Sequence, residues 1–348
     1  MQRLHSCASM DTEPDRMDDR ATERLNWARQ ALADPGASLA PASADASFRS
    51  YWRIARGDGS TLVLMDAPPG HEDVRPWLDV AARLERAGVA APRVLASDAA
   101  RGFVLMQDLG QATLLPALDG HSVDALYGRA MALLLRMQAR ADAAGLPPYD
   151  EPRLVAEMEL MPEWFLERHL GFVPDCDQWD EVEMAFRALT NAALAQPAVF
   201  VHRDFHSRNL MLQPDGTLAT IDFQDAVRGP LSYDLVSLLR DCYVAWPEAR
   251  VHGWVEEYRR QLAHAGIADV DAATFRRWFD LMGLQRHIKV LGIFCRLWYR
   301  DGKRGYLGDL PLVWRYTREV GLRYPEVAPL VRLVERAIGD RDLREPAP

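Results

Sequence analysis

The sequence predicts an α+β protein with a small, strand-rich N-terminal part followed by a larger, mainly helical C-terminal part. Aromatic and β-branched residues at 47–56 and 61–68 flank a Gly-Asp-Gly turn, which is the pattern of a β-hairpin. After Gly110 the apolar residues recur at helical spacing almost to the C-terminus. The exception is 199–223, where two short apolar runs flank a Pro-Asp-Gly turn and predict a second hairpin inside the helical part.

The remaining elements follow from the same periodicities. In the N-terminal part we expect a leading helix at 21–34, a second helix at about 73–87, and two further strands around a turn at 99–102. The helices expected in the C-terminal part lie at 123–143, 153–169, 178–195, 232–244, 251–265, 272–300 and 328–338. The expected divisions of the chain are a disordered tail at 1–17, an N-terminal lobe at 18–110 and a C-terminal lobe at 111–348.

Composition excludes several classes of function. The 348 residues carry a net charge of −9 at pH 7, which argues against a nucleic-acid binder, because such proteins need a basic face. The four cysteines are far apart in the sequence and form no CxxC pair, as expected of reduced thiols. No apolar run approaches the roughly 18 residues of a membrane span, and residues 1–17 lack the apolar core of a signal peptide. We therefore expect a cytoplasmic protein with neither nucleic acid nor membrane as a partner.

The strongest chemical signal is the segment HRDFHSRN at 202–209, followed by an aspartate at 222. Phosphoryl transfer needs a positioned hydroxyl group and divalent metal held on the phosphates. Asp204 could accept the hydrogen bond of the attacking hydroxyl, and the amide oxygen of Asn209 suits a magnesium ion. Asp222, at the far end of the second hairpin, would bring an anionic ligand to the same place. These residues predict a metal-dependent phosphotransferase.

Another interpretation of this segment is a zinc site. His202, Asp204 and His206 alternate along the chain and could form a metal-binding triplet of the hydrolytic kind. Such a site needs further His or Cys ligands, and none lies nearby in the sequence. We therefore expect His202 to organise the loop instead of binding metal.

HRDFHSRN followed by IDF resembles the H-x-D-x-x-x-x-N and DFG-type pair of protein kinases and, more closely, the aminoglycoside phosphotransferase/choline kinase superfamily. The resemblance covers about residues 20–340 and implies a protein-kinase-like bilobal fold that uses ATP and Mg²⁺. It implies Asp204 as catalytic base and Asn209 and Asp222 as magnesium ligands. It also implies that Asp234 is a buried structural residue that braces the catalytic loop.

The resemblance further implies a nucleotide site that includes the hinge between the lobes. The residues expected to bind nucleotide are Ser47, Phe48, Arg49, Arg53, Met106, Gln107, Asp108, Leu109 and Leu212. The N-terminal lobe departs from the family, because Met65 stands at the expected lysine position and no lysine occurs before residue 289. Arg49 or Arg53 could supply the missing charge, or both could be surface arginines. A third possibility is a nucleotide-binding module without catalysis.

Segments such as DASFRSYWRI (45–54) and EMELMPEWFLERHLG (157–171) resemble one branch of that superfamily. Its members phosphorylate the anomeric hydroxyl of N-acetylmuramate and N-acetylglucosamine in peptidoglycan recycling. The resemblance therefore implies an amino-sugar acceptor, with Asp225 among the residues that bind it. An aminoglycoside or choline kinase is the alternative. We expect a monomer.

A row of basic residues in the helix expected at 272–300 supports an anionic acceptor independently of resemblance. Arg286, Lys289, Arg296 and Arg300 fall within about 80° of one another at 100° per residue. N-acetylmuramate carries a lactyl carboxylate that arginine can bind in bidentate fashion. We expect Arg286, Lys289 or Arg296 to bind it, whereas a cationic acceptor would need acidic residues. The alternative is a solvated helix face, or one paired with acidic side chains.

Overall fold

The computed structural model describes residues 13–44 and 48–346, and these residues form two compact units. The first unit contains the described residues up to Ala81 together with Pro92–Gly110. The second contains Ala82–Ala91 and the described residues from Gln111 onward. Among the helices described, none combines the length and apolarity needed to cross a membrane.

The first unit is built on one antiparallel sheet. Its elements are α1 (Glu13–Leu32), β1 (Leu39–Ala44), β2 (Ser50–Ala55), β3 (Thr61–Asp66), the start of α2 (Arg75–Arg86), β4 (Val94–Asp98) and β5 (Phe103–Gln107). The strand order is β1-β2-β3-β5-β4. The predicted hairpin is confirmed, because β2 pairs with β3 from Ala55 opposite Thr61 to Ser50 opposite Asp66.

The helix α1 covers one face of this sheet and begins earlier than expected. Trp27 and Ala28 are buried against apolar strand residues, and the Trp27 ring lies 5.4 Å from that of Phe103. Two arginines of α1, Arg20 and Arg24, form ion pairs with the buried carboxylate of Asp66 at 2.6 and 2.9 Å. The helix starts at Glu13, so residues 13–17 are helical and do not belong to a disordered tail. Residues 1–12 lie outside the described residues.

The second unit is mainly helical. Its α-helices are α3 (Val123–Arg140), α4 (Glu151–Met158), α5 (Cys176–Leu194), α6 (Tyr233–Leu239), α7 (Glu248–His264), α8 (Ala272–Tyr299), α9 (Leu310–Gly321) and α10 (Ala328–Ile338). A π-helix spans Met161–His169, and short 3₁₀ helices span Leu115–Ala117 and Tyr306–Asp309. The single helix expected at 153–169 is therefore two pieces, because Pro162 lacks the N–H donor that would continue α4.

Two small sheets in this unit frame the segment 202–209. Strand β6 (Ala198–Val201) pairs with β9 (Val227–Pro230), and β7 (Leu210–Leu212) pairs with β8 (Leu218–Thr220). The segment is thus the loop that connects the end of β6 to the start of β7. The predicted turn between β7 and β8 is confirmed, and Gly216 has the positive φ of 80° that such a turn favours.

Candidate active site

The loop 202–209 is fixed at its start by a buried carboxylate. Asp234, in the first turn of α6, accepts hydrogen bonds from the backbone N–H groups of His202 (2.7 Å) and Arg203 (3.0 Å). Burial raises the pKa of Asp234 to about 7, although these two bonds act in the opposite direction. The carboxyl group of Asp234 therefore fixes the backbone immediately before Asp204.

The ring of His202 is a second support of the loop. Its Nδ1 accepts the Asp204 N–H at 3.3 Å, and its Nε2 lies 2.6 Å from the Thr220 hydroxyl on β8. Burial lowers the pKa of His202 to about 4, so the ring is neutral at physiological pH. With Nδ1 as acceptor, the proton lies on Nε2 and points to Thr220. Both ring nitrogens thus have protein partners, which argues against the zinc triplet.

Asp204 is ionised in this setting. Burial alone would raise the pKa of Asp204, but the nearby positive charges of Lys289 and Arg203 lower it. The carboxylate can therefore accept a proton, as a base for a hydroxyl group must. The backbone carbonyl of Asp204 also accepts bonds from His206 N–H (3.0 Å) and Asn209 Nδ2 (3.1 Å), which fold the loop back on itself.

The hairpin β7–β8 brings Asp222 to the end of this loop. Asn209 and Asp222 are 13 residues apart in the sequence, and Asn209 Nδ2 lies 3.4 Å from Asp222 Oδ2. Ile221 N–H donates to the Asn209 carbonyl at 3.0 Å, and Gln224 Nε2 donates to Asp222 Oδ1 at 2.9 Å. One carboxylate and one amide oxygen suit Mg²⁺, which keeps several waters and binds phosphate oxygens in place of a full protein cage. The residues present therefore fit a magnesium–nucleotide complex.

Three of the four residues in the basic row on α8 are buried or half-buried, and two of the four pair with acidic side chains. Arg286 and Lys289 are only 5% and 8% exposed. Arg286 donates to Cys242 Sγ at 3.3 Å, and Lys289 Nζ lies 3.0 Å from Glu157 Oε1. Arg296 is half-buried, whereas Arg300 is exposed and pairs with Asp301 at 2.7 Å. Binding of an acceptor by Arg286, Lys289 or Arg296 stays a prediction, and the burial of the first two argues against direct contact.

Glu157 is a central residue of the site that sequence reasoning missed. This α4 carboxylate forms ion pairs with Lys289 and Arg203 and accepts a hydrogen bond from the Tyr149 hydroxyl. Burial would raise the pKa of Glu157, but the two cations lower it, so the carboxylate is ionised. Its neighbours in α4, Leu154 and Met158, are also buried. The sequence signal that could have identified Glu157 is therefore an acidic residue on the apolar face of a helix.

Several residues expected to bind nucleotide lie in the first unit. Arg53 Nε donates to Asp108 Oδ2 at 2.5 Å, and Thr61 donates to the same carboxylate at 2.7 Å. The Phe48 ring is exposed and stacks on His71 at 4.6 Å. Met65 is completely buried, so an apolar side chain fills the expected lysine position.

The other expected site residues have the following places. Arg49 is half-buried, Met106 is buried in β5, and Gln107 is an exposed residue at the end of that strand. Leu109, two residues further on, is half-buried. Leu212 is half-buried in β7, and Asp225 is exposed, with its carboxylate 3.3 Å from Gln224 Nε2. Ser47 lies outside the described residues. The nucleotide- and acceptor-binding roles of these residues stay predictions.

Comparison with known proteins agrees with the class of enzyme that this site suggests, a phosphotransferase. The model of the phosphotransferase enzyme family (APH) matches residues 38–274, and the chain belongs to this family. A Pseudomonas aeruginosa protein named N-acetylmuramate/N-acetylglucosamine kinase is 44% identical over 91% of this chain and 97% of its own length. A Neisseria meningitidis protein of the same name is 42% identical, with coverages of 93% and 98%.

Solved structures show the same fold at low sequence identity. A Plasmodium vivax ethanolamine kinase aligns with a TM-score of 0.59 at 8% identity, covering 88% of this chain and 90% of its own. A choline/ethanolamine kinase family protein from Mesorhizobium loti aligns with a TM-score of 0.58 at 15% identity, covering 92% and 99%. The expected kinase-like α+β fold is therefore confirmed.

Proposed function

We propose that the protein is a kinase that transfers the γ-phosphoryl group of ATP to the anomeric hydroxyl of N-acetylmuramate and N-acetylglucosamine. The observation that carries this proposal is that three relatives, 42–44% identical over at least 86% of this chain, all bear the name of that kinase. The products would be the sugar 1-phosphates, which fits a role in peptidoglycan recycling. We expect a monomer that acts in the cytoplasm, where nucleoside triphosphates are available.

In this proposal Asp204 accepts the proton of the sugar hydroxyl. Asn209 and Asp222 would hold Mg²⁺, which neutralises charge on the phosphates when it is bound. The backbone at Met106–Leu109 would bind the adenine. Arg49 or Arg53 would supply the phosphate-binding cation in the first unit, and the Asp108 carboxylate binds the guanidinium of Arg53 in the structure.

Two other functions are less well supported. A kinase of cationic acceptors should line its acceptor site with acids, whereas the loop 202–209 exposes the cation of Arg208. A nucleotide-binding module without catalysis would not need an ionised Asp204 beside the Asn209–Asp222 pair.

A phosphorylation screen tests the proposal. Purified protein with ATP and Mg²⁺ is offered N-acetylmuramate, N-acetylglucosamine, choline and an aminoglycoside, and products are assigned by phosphorus NMR. We expect both amino sugars to yield 1-phosphates. Phosphorylation of choline or the aminoglycoside alone, or at another sugar hydroxyl, would contradict the proposal.

A further inference from the structure

Arg208 is an exposed arginine within the loop that carries Asp204 and Asn209. Its guanidinium carbon lies 3.5 Å from the centroid of the half-buried Tyr243 ring. We propose that Arg208, supported by Tyr243, binds the carboxylate of the acceptor and thereby sets the preference for N-acetylmuramate over a neutral amino sugar. This inference rests on the proposed function and names a residue that determines its specificity.

The loop fixes the position of Arg208 relative to the base. Asn209 N–H donates to the His206 carbonyl at 2.9 Å, and Ser207 N–H donates to the buried carboxylate of Asp241 at 2.9 Å. Both neighbours of Arg208 are therefore held by hydrogen bonds. The Tyr243 ring also meets His206 edge-on, with centroids 5.5 Å apart. The Tyr243 ring therefore contacts both His206 and the Arg208 guanidinium, and the His206 N–H donates to the Asp204 carbonyl.

Arg208 differs from the other cations of this region in its partners. Arg203 and Lys289 share Glu157, and Arg286 is buried against Cys242. Within the described part of the chain, the Arg208 guanidinium has a cation–π contact but no hydrogen bond or ion pair. Burial raises the pKa of the nearby Asp309 carboxyl group and the charge of Arg208 lowers it, but no ion pair joins the two side chains. The donor fork of Arg208 is therefore available to a ligand.

The structure of the acceptor sugars indicates where a cation that binds the carboxylate must lie. The lactyl ether that carries the carboxylate of N-acetylmuramate is attached to the sugar ring two carbons from the anomeric carbon. A cation that binds this carboxylate must therefore lie within about one sugar ring of the base. Arg208 follows Asp204 by four residues in a loop that folds back on itself. A guanidinium fork on an aromatic face can bind a carboxylate through two parallel hydrogen bonds.

The test compares both sugars with Arg208→Gln. We expect kcat/KM for N-acetylmuramate to fall about 10- to 100-fold, mainly through a higher KM, because a charge-assisted contact made before the reaction is lost. For N-acetylglucosamine, which has no carboxylate, we expect a fall of less than about threefold. Arg208→Lys, which keeps the charge but loses the fork, should be intermediate. Arg332→Gln, at an exposed arginine on α10, is the matched control and should leave the ratio intact.

Two further variants test the support from Tyr243. Tyr243→Phe keeps the aromatic face and should preserve the ratio, whereas Tyr243→Leu removes it and should lower the ratio in the same direction as Arg208→Gln. An equal fall for both sugars, or a raised KM for ATP alone, would assign Arg208 to the nucleotide and overturn the inference. An unchanged ratio would overturn it as well. Failure of the wild-type protein to phosphorylate either sugar would instead reject the proposed function, and this result precedes any variant.

Discussion

Two residues of the site, Arg203 and Asp222, adopt left-handed backbone conformations, with φ of 78° and 63°. Such a conformation is strained for a side chain with a Cβ atom and costs about 1–3 kcal/mol, so the surroundings must hold it. Asp234 binds the Arg203 N–H, and Glu157 binds its guanidinium. Gln224 binds the Asp222 carboxylate. The backbone thus turns sharply just before the proposed base and at the proposed metal ligand.

The first residue-scale prediction concerns the proposed base. Asp204→Asn keeps the shape of the side chain but cannot accept a proton, so turnover should fall by about 10²- to 10⁴-fold. Nucleotide binding, measured by calorimetry, should persist because the Asn209–Asp222 pair remains. Turnover close to that of the wild-type protein would exclude Asp204 from the mechanism.

The second concerns the proposed metal ligands. Asp222→Ala removes the carboxylate of the pair and should abolish Mg²⁺-dependent phosphorylation, whereas Asn209→Ala removes a neutral ligand and should leave more activity. Titration of both variants with Mg²⁺ separates weak metal binding from lost catalysis. If excess Mg²⁺ gave the same rate in Asp222→Ala as in the wild-type protein, another residue would have to hold the metal.

At the scale of secondary structure, the sequence predicted the elements whose residues have a clear strand, turn or helix pattern, and missed elements without one. The Gly-Asp-Gly turn predicted the hairpin β2–β3, but β1 was missed, since Leu39–Ala44 contains alanine, serine and proline instead of typical strand residues. Pro41 is tolerated because β1 is an edge strand, with a register shift between Pro41 and Ser43. Helix α9 was missed as well, although Pro311 stands in its first turn, where proline is favoured.

In the candidate site, too, the sequence predicted contacts within one segment but not contacts between distant elements. The spacing within 202–222 predicted that Asp204, Asn209 and Asp222 would meet, because one loop and one hairpin bring them together. The ion pairs of Glu157 with Arg203 and Lys289 depend on how α4, the loop and α8 pack. No periodicity along the chain specifies that packing. The sequence therefore located the basic residues of α8 without showing that two of them are buried.

The contact of α8 with the start of the π-helix gives a prediction at this scale. A Cβ atom at Gly292 would lie 2.3 Å from the Leu160 carbonyl, so Gly292→Ala must push two backbones apart. We expect a loss of stability of about 1–3 kcal/mol, measured by chemical denaturation.

Gly253 in α7 is the matched control, because a Cβ atom there meets nothing within 4 Å. Gly253→Ala should stabilise the protein by about 0.5–1 kcal/mol, since alanine is the better helix former. Equal effects of the two substitutions would contradict the close packing.

At the scale of the whole molecule, buried histidines link folding to pH. The described histidines whose pKa is lowered, in each case chiefly by burial, are His169, His202, His206, His252 and His287. Each stays neutral in the folded protein at a pH where the unfolded chain binds a proton. Unfolding in mild acid therefore takes up protons, and stability should fall as the pH is lowered below about 6.5. The raised pKa of Asp234 acts in the opposite direction over part of this range, so one histidine away from the loop gives a cleaner measurement.

His287 on α8 provides that measurement. Its Nε2 lies 3.1 Å from the Arg240 carbonyl, and its ring stacks on Tyr316 at 5.1 Å. Burial, reinforced by the charge of Arg286, lowers its pKa to about 3. Between pH 3 and 6.5 the unfolded state binds the proton that the folded state excludes, so this group contributes stability that is lost as the pH falls. From pH 7 to pH 5 the contribution of this group to the free energy of unfolding should fall by about 2 kcal/mol.

The amide of His287→Gln can still donate to the Arg240 carbonyl but does not titrate. The free energy of unfolding, measured with urea at pH 5, 6 and 7, should therefore decline less steeply in this variant. His264→Gln, at an exposed position on α7, is the control and should follow the wild-type curve. If His287→Gln also followed the wild-type curve, the ring would be protonated or open to water in the folded protein, and its assignment as a neutral buried residue would be wrong.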